Sequence, residues 1–215
     1  MDENRSNIES NAIDQDICNR SIAPAKNILK STALEPTGND DSATVSSGDA
    51  HISNNIVKNN INANPNDVVS AFDVARYILE KLHQCTAMKL QKLLYYCQSW
   101  YLVWNDKPLF SEPIEAWANG PVVRSVFQCH RGLYTLTPMN FAFGNMSKLT
   151  DQQKSDIDSV LDAYGDKSSQ WLVNKTHLEL PWQKARKGLG MTERGNVIIP
   201  LDSMAEYYSA LDGQK

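Results

Sequence analysis

Aromatic side chains are missing from the first third of this chain: none of its 18 Phe, Trp and Tyr residues lies before Phe72. Residues 1–66 hold 13 Asn and 8 Ser with only scattered Ile, Val and Leu. Such a segment cannot bury enough apolar area to offset its ordering entropy, and it is expected to be a disordered tail. The lack of apolar periodicity also excludes a three-helix DNA-binding unit there, so no DNA-binding domain is apparent. A surplus of positive charge is missing too. The tail carries 5 Lys or Arg against 9 Asp or Glu, and the remainder carries 16 of each, so the whole net charge of −4 sits in the tail. A charge-balanced body argues against nonspecific nucleic-acid binding, which needs a cationic surplus to displace counterions.

Long apolar runs are absent, so no membrane-crossing helix is expected. The opening "MDENRSNIES" lacks the basic and apolar regions of a secretory signal, and a cytoplasmic location is the default. Cysteine is sparse: Cys18, Cys85, Cys97 and Cys129 show no CxxC spacing, and free thiols are expected.

What is present begins at about residue 67. In "SAFDVARYILEKL", Ser70 and Asp73 form a capping-box pattern ahead of Val74, Ala75, Ile78, Leu79 and Leu82 at helical spacing. Thr86 caps a second helix running to about Trp104. Leu90, Leu93, Leu94, Cys97, Tyr101 and Trp104 form one stripe on it, with Tyr96, Trp100 and Val103 beside it. A helix apolar over more than half its circumference belongs at the centre of a domain. The runs 108–110 and 114–118 read as a small hairpin or a pair of short extended segments, and Pro121 reads as the first turn of a further helix. Thr150 caps a helix that Gly165 stops, Ser168 or Ser169 caps the next, Pro181 ends that helix or opens another, and Pro200 introduces the last. The expected fold is mainly α: a compact domain over residues 67–215 with six or seven helices and one small β hairpin.

No constellation points clearly to catalysis. Cys97 or Cys129 with His130 would make a thiol and base, but Cys97 lies on the apolar stripe, where cysteine packs as a small hydrophobe. His83, Cys85, Cys129 and His130 lack metal-site spacing, so neither a metal nor a cofactor is expected. Asp106, Glu112 and Glu115 flank turns, where acids are commonly solvated. Lys92 and Glu115 are charged residues inside apolar motifs; either they pair with each other or one faces a partner. Trp182 with Lys184, Arg186 and Lys187 reads as a solvated helix face, an RNA contact or a partner-facing edge.

Several motifs in fixed order carry a resemblance. "KLQKLLYY" at Lys89 to Tyr96, Trp100, "PLF" at Pro108 to Phe110, "EAW" at Glu115 to Trp117 and "GPVV" at Gly120 to Val123 resemble the Panacea family. So does "HLELPWQKAR", His177 to Arg186. This family comprises mainly helical antitoxin domains of bacterial and phage or prophage toxin–antitoxin loci. The resemblance implies a non-enzymatic protein that neutralises a cognate protein toxin by direct binding, or, as in one branch, an adaptor delivering the toxin to an AAA+ protease. A Cys-dependent enzyme is the reading from outside the family. Candidate partner contacts are Lys92, Tyr96, Trp100, Glu115, Trp117, Trp182 and Arg186, and a homo-oligomer is compatible with the sequence.

Overall fold

The computed structural model describes residues 68–190 and 192–213. The expected tail over residues 1–66 lies outside the described residues. Among those described, seven α-helices occur: α1 (Ala71–Leu82), α2 (Ala87–Asn105), α3 (Arg124–His130), α4 (Asp151–Tyr164), α5 (Ser169–His177), α6 (Leu180–Ala185) and α7 (Leu201–Asp212). The strands are β1 (Cys85–Thr86), β2 (Ile114–Trp117), β3 (Gly120–Val123) and β4 (Thr135–Leu136), forming two antiparallel pairs, β1 with β4 and β2 with β3. The mainly helical expectation holds, with a second, minimal strand pair added.

The expected caps form. Ser70 Oγ accepts from Asp73 N–H, and Asp73 returns the bond to the Ser70 N–H at 2.9 Å. The other carboxylate oxygen of Asp73 accepts from the Asn145 N–H at 2.7 Å, which ties the first turn of α1 to the 138–149 segment. Glu112 accepts from the Ala71 N–H at 3.0 Å, so this acid satisfies a helix-start donor and is partly buried, not solvated. Thr86, Thr150 and Ser168 cap α2, α4 and α5.

Helix α2 is the axis of the molecule, packed against α1, α4, α5, α7 and β3. Every residue from Leu90 to Leu102 is buried. Leu90, Leu93, Leu94, Tyr95 and Tyr96 are fully enclosed, each large apolar side chain contributing about 1.5–3 kcal/mol. Tyr96 stacks on Tyr164 of α4 at 4.1 Å and meets Tyr208 of α7 edge-on. The aromatic run thus knits three helices together.

The hairpin departs from expectation in place. It pairs Ile114 with Val123, Glu115 with Val122, Ala116 with Pro121 and Trp117 with Gly120, so Pro121 lies in a strand and α3 starts only at Arg124. Residues 108–110 are not its partner strand. Gln98 of α2 serves their backbone instead: its Oε1 accepts from the Leu109 and Phe110 N–H groups, and its Nε2 donates to the Phe110 carbonyl. Residues 197–199 flank β2 on its other side, where Ala116 N–H donates to the Val197 carbonyl and Ile199 N–H to the Ile114 carbonyl.

Candidate functional site

The outer edge of the hairpin is held by polar side chains of α2. Gln91 Oε1 accepts from the Val123 N–H at 2.8 Å, and Lys92 Nζ donates to the Pro121 carbonyl at 2.8 Å. These backbone groups point away from β2 and would otherwise form an open sheet edge. Pro121 fits the same logic, because its missing N–H lies on the outward side. Gly120 is fixed by Lys92: its φ is +97°, and a Cβ there would lie 2.6 Å from Lys92 Cε and 2.8 Å from Thr176 Oγ1. The "GPVV" motif is therefore shaped by the lysine of "LQKLL". Burial brings the Lys92 ammonium down to about 7.

With its Oε1 committed to Val123, Gln91 presents its Nε2 to His130, donating to the ring Nε2 at 2.9 Å. His130 accepts at this nitrogen, and burial holds its pKa below the ordinary histidine range. The imidazole is thus engaged with an amide and held neutral. Burial raises the Cys97 thiol well above its usual range and the Cys85 thiol to about 11. Both are free cysteines, as expected; Cys18 lies outside the described residues. Among the described residues, no group of three or more His, Cys, Asp or Glu is arranged to hold a metal ion.

In front of the hairpin lies a cleft of about 870 Å³. Its apolar floor is Trp117 against Phe127, edge to face at 4.8 Å, with Met88 and Val122 alongside. Glu115 is the one carboxylate in the lining, and it is committed: it accepts from Trp117 Nε1 at 2.7 Å and from Arg124 Nη1 at 3.3 Å. Arg124, Arg131 and Arg194 give the lining three guanidinium groups. All three residues are exposed.

The outer wall, Thr192 with Arg194 to Asn196, is positioned by Arg186. This buried guanidinium donates to the Ala116 carbonyl of β2 at 3.1 Å and to the Gly190 and Glu193 carbonyls at 2.7 Å each. It also lies over the Trp182 ring, whose Nε1 donates to the Trp117 carbonyl at 3.0 Å. Gly195 approaches so closely that a Cβ would meet Arg186 Nη1 at 3.0 Å and the Leu189 side chain at 2.7 Å. One arginine thus joins the sheet to the wall.

A second polar cluster lies in the core. Glu179, fully enclosed, accepts from Tyr208 Oη of α7 at 2.8 Å and from Tyr96 Oη of α2 at 3.3 Å. Burial pushes its carboxyl up to about 7, against the opposing pull of the Tyr208 bond.

Of the seven expected contact residues, Lys92 and Tyr96 are fully enclosed, and Trp100, Glu115, Trp182 and Arg186 expose only 5–7%. Trp117 is half-buried and, with Glu115, reaches the cleft. Lys92 and Glu115 are not paired with each other: the first serves the Pro121 carbonyl, the second Trp117 and Arg124. Sequence reasoning passed over Gln91 and Glu179. Both are polar residues embedded in apolar motifs, the signal that did single out Lys92.

The family model described as "Antitoxin SocA-like, Panacea domain" matches residues 90–183. That match runs from within α2 to within α6. No curated protein matches the chain, and no solved structure does.

Proposed function

We propose that this Panacea-domain chain is an antitoxin that neutralises a cognate toxin by direct protein–protein binding. The match over residues 90–183 carries the reading, since it spans the hairpin, its α2 clamp and the aromatic core. The chemistry of the site supports binding over catalysis. Cys85 and Cys97 are buried with raised thiol pKa values, and His130 is tied to an amide. Trp117 and Glu115 are the expected contacts that line the cleft; Lys92, Trp182 and Arg186 bond to the hairpin backbone, and Tyr96 and Trp100 lie in the aromatic core. No helix among the described residues is long and apolar enough to cross a membrane.

Coexpression with the product of the neighbouring open reading frame tests the reading. Growth arrest by that product alone, relieved by this chain with recovery of a stable complex, is the expected result. Arrest that persists, with no complex copurifying, defeats it.

A further inference from the structure

We infer that the cleft in front of the hairpin receives an acidic segment of the partner polypeptide, one bearing an apolar side chain between carboxylates. This inference rests on the antitoxin reading. The body of the chain is charge-balanced, yet the cleft lining holds Arg124, Arg131 and Arg194 against a single carboxylate, Glu115, whose two oxygens are already occupied by Trp117 and Arg124. The lining is thus net cationic, and nothing within it neutralises Arg131 or Arg194. Guanidinium groups present planar donor forks that match carboxylates, so the complementary ligand is anionic.

The floor selects among anionic ligands. Trp117 and Phe127 are half-buried and packed edge to face, which leaves an apolar surface suited to a single aliphatic or aromatic side chain and no tier of parallel ring faces for successive bases. These features favour a polypeptide over a nucleic acid. The parts of the cleft also differ in origin. Trp117, Arg124, Phe127 and Arg131 fall within the Panacea match, whereas the wall bearing Arg194 lies beyond it, positioned by Arg186 and the close approach of Gly195. Arg194 is the residue on which discrimination between toxins would turn.

The test uses the full chain and the product of the neighbouring open reading frame, with affinity measured by calorimetry. The variant Arg131→Glu/Arg194→Glu alters two exposed side chains, and its unchanged thermal melting confirms that it is folded. We expect wild type to bind, the double variant to bind about 30-fold or more weakly, and poly-L-glutamate to displace the toxin. Restored binding of the double variant to a toxin whose acidic segment carries Glu→Arg changes completes the support. Wild-type affinity in the double variant overturns the cleft assignment while leaving the antitoxin reading intact. Failure of wild type to bind at all removes both. Polyuridylate displacing the toxin as well as poly-L-glutamate does overturns the polypeptide assignment.

Discussion

At Gly120 two demands meet: a φ of +97° and the lysine side chain of α2 packed against Cα. Alanine would satisfy neither. Gly120→Ala places its methyl 2.6 Å from Lys92 Cε, in a region of backbone space that side chains rarely adopt, and Lys92 has no free volume into which to retreat. We expect a loss of about 2–4 kcal/mol, read as a lowered urea midpoint. An unchanged midpoint would show that the hairpin is not set by Lys92. The sequence shows that Gly120-Pro121 marks a special backbone and that a lysine inside "LQKLL" needs a partner, but not that each explains the other. The two sites are separated by 28 residues of chain, and the contact is made by a carbonyl, which sequence does not distinguish from any other.

Elements are held in place here by polar side chains reaching to backbone as much as by apolar faces. Gln91 serves both β3 and His130 of α3, so Gln91→Leu leaves the Val123 N–H and the His130 ring without their partner inside the core. A cost of about 2–4 kcal/mol follows, with faster amide exchange at residues 122–124 than in α1. Helix α7 lies outside the family match, and Tyr208 ties it to Glu179. Tyr208→Phe removes a bond to a buried carboxyl, an expected cost of about 1.5–3 kcal/mol, with exchange rising first across 201–212. Equal protection of α7 in the two proteins would contradict that anchoring role. At this scale the sequence was most readable where spacing or caps decide: α1, α2, α4 and α5 stand where Ser70, Thr86, Thr150 and Ser168 announce them. It was least readable at the hairpin. Proline usually means a helix start or an edge strand, and β3 is an edge whose outward groups are satisfied by side chains of α2, a long-range fact no local pattern carries. The cleft was half legible, since Trp117 and Glu115 were singled out, but its cationic rim is assembled from residues scattered between 124 and 194.

For the molecule as a whole, two enclosed ionisable groups act on stability in opposite pH ranges. Glu179 is raised from its ordinary 4.5 to about 7 by burial. Between those values the unfolded chain has lost this proton and the folded chain retains it, so stability falls as pH rises from about 4.5 to about 7. Lys92 is lowered from 10.5 to about 7. Between about 7 and 10.5 the unfolded chain holds this proton and the folded chain does not, so stability rises with pH over that range. Around neutrality both penalties are in force, the carboxylate becoming charged and the ammonium still charged within the core. The two groups therefore contribute a stability minimum near pH 7, with limbs of about 3 kcal/mol on the acid side and about 5 kcal/mol on the alkaline side. Other carboxylates add their own acid dependence, so the contribution is isolated by difference. Wild type and Lys92→Met/Glu179→Gln are unfolded in urea at pH values of about 5, 7 and 9, below the range of free tyrosines. The double variant carries a constant offset from the lost bond to the Pro121 carbonyl, while the glutamine carbonyl still accepts from Tyr208. Relative to wild type it should be most favoured at about pH 7, and less so on either side. A wild-type-minus-variant difference that stays flat across the three conditions would mean that Lys92 and Glu179 titrate in the folded protein much as they do in the unfolded chain.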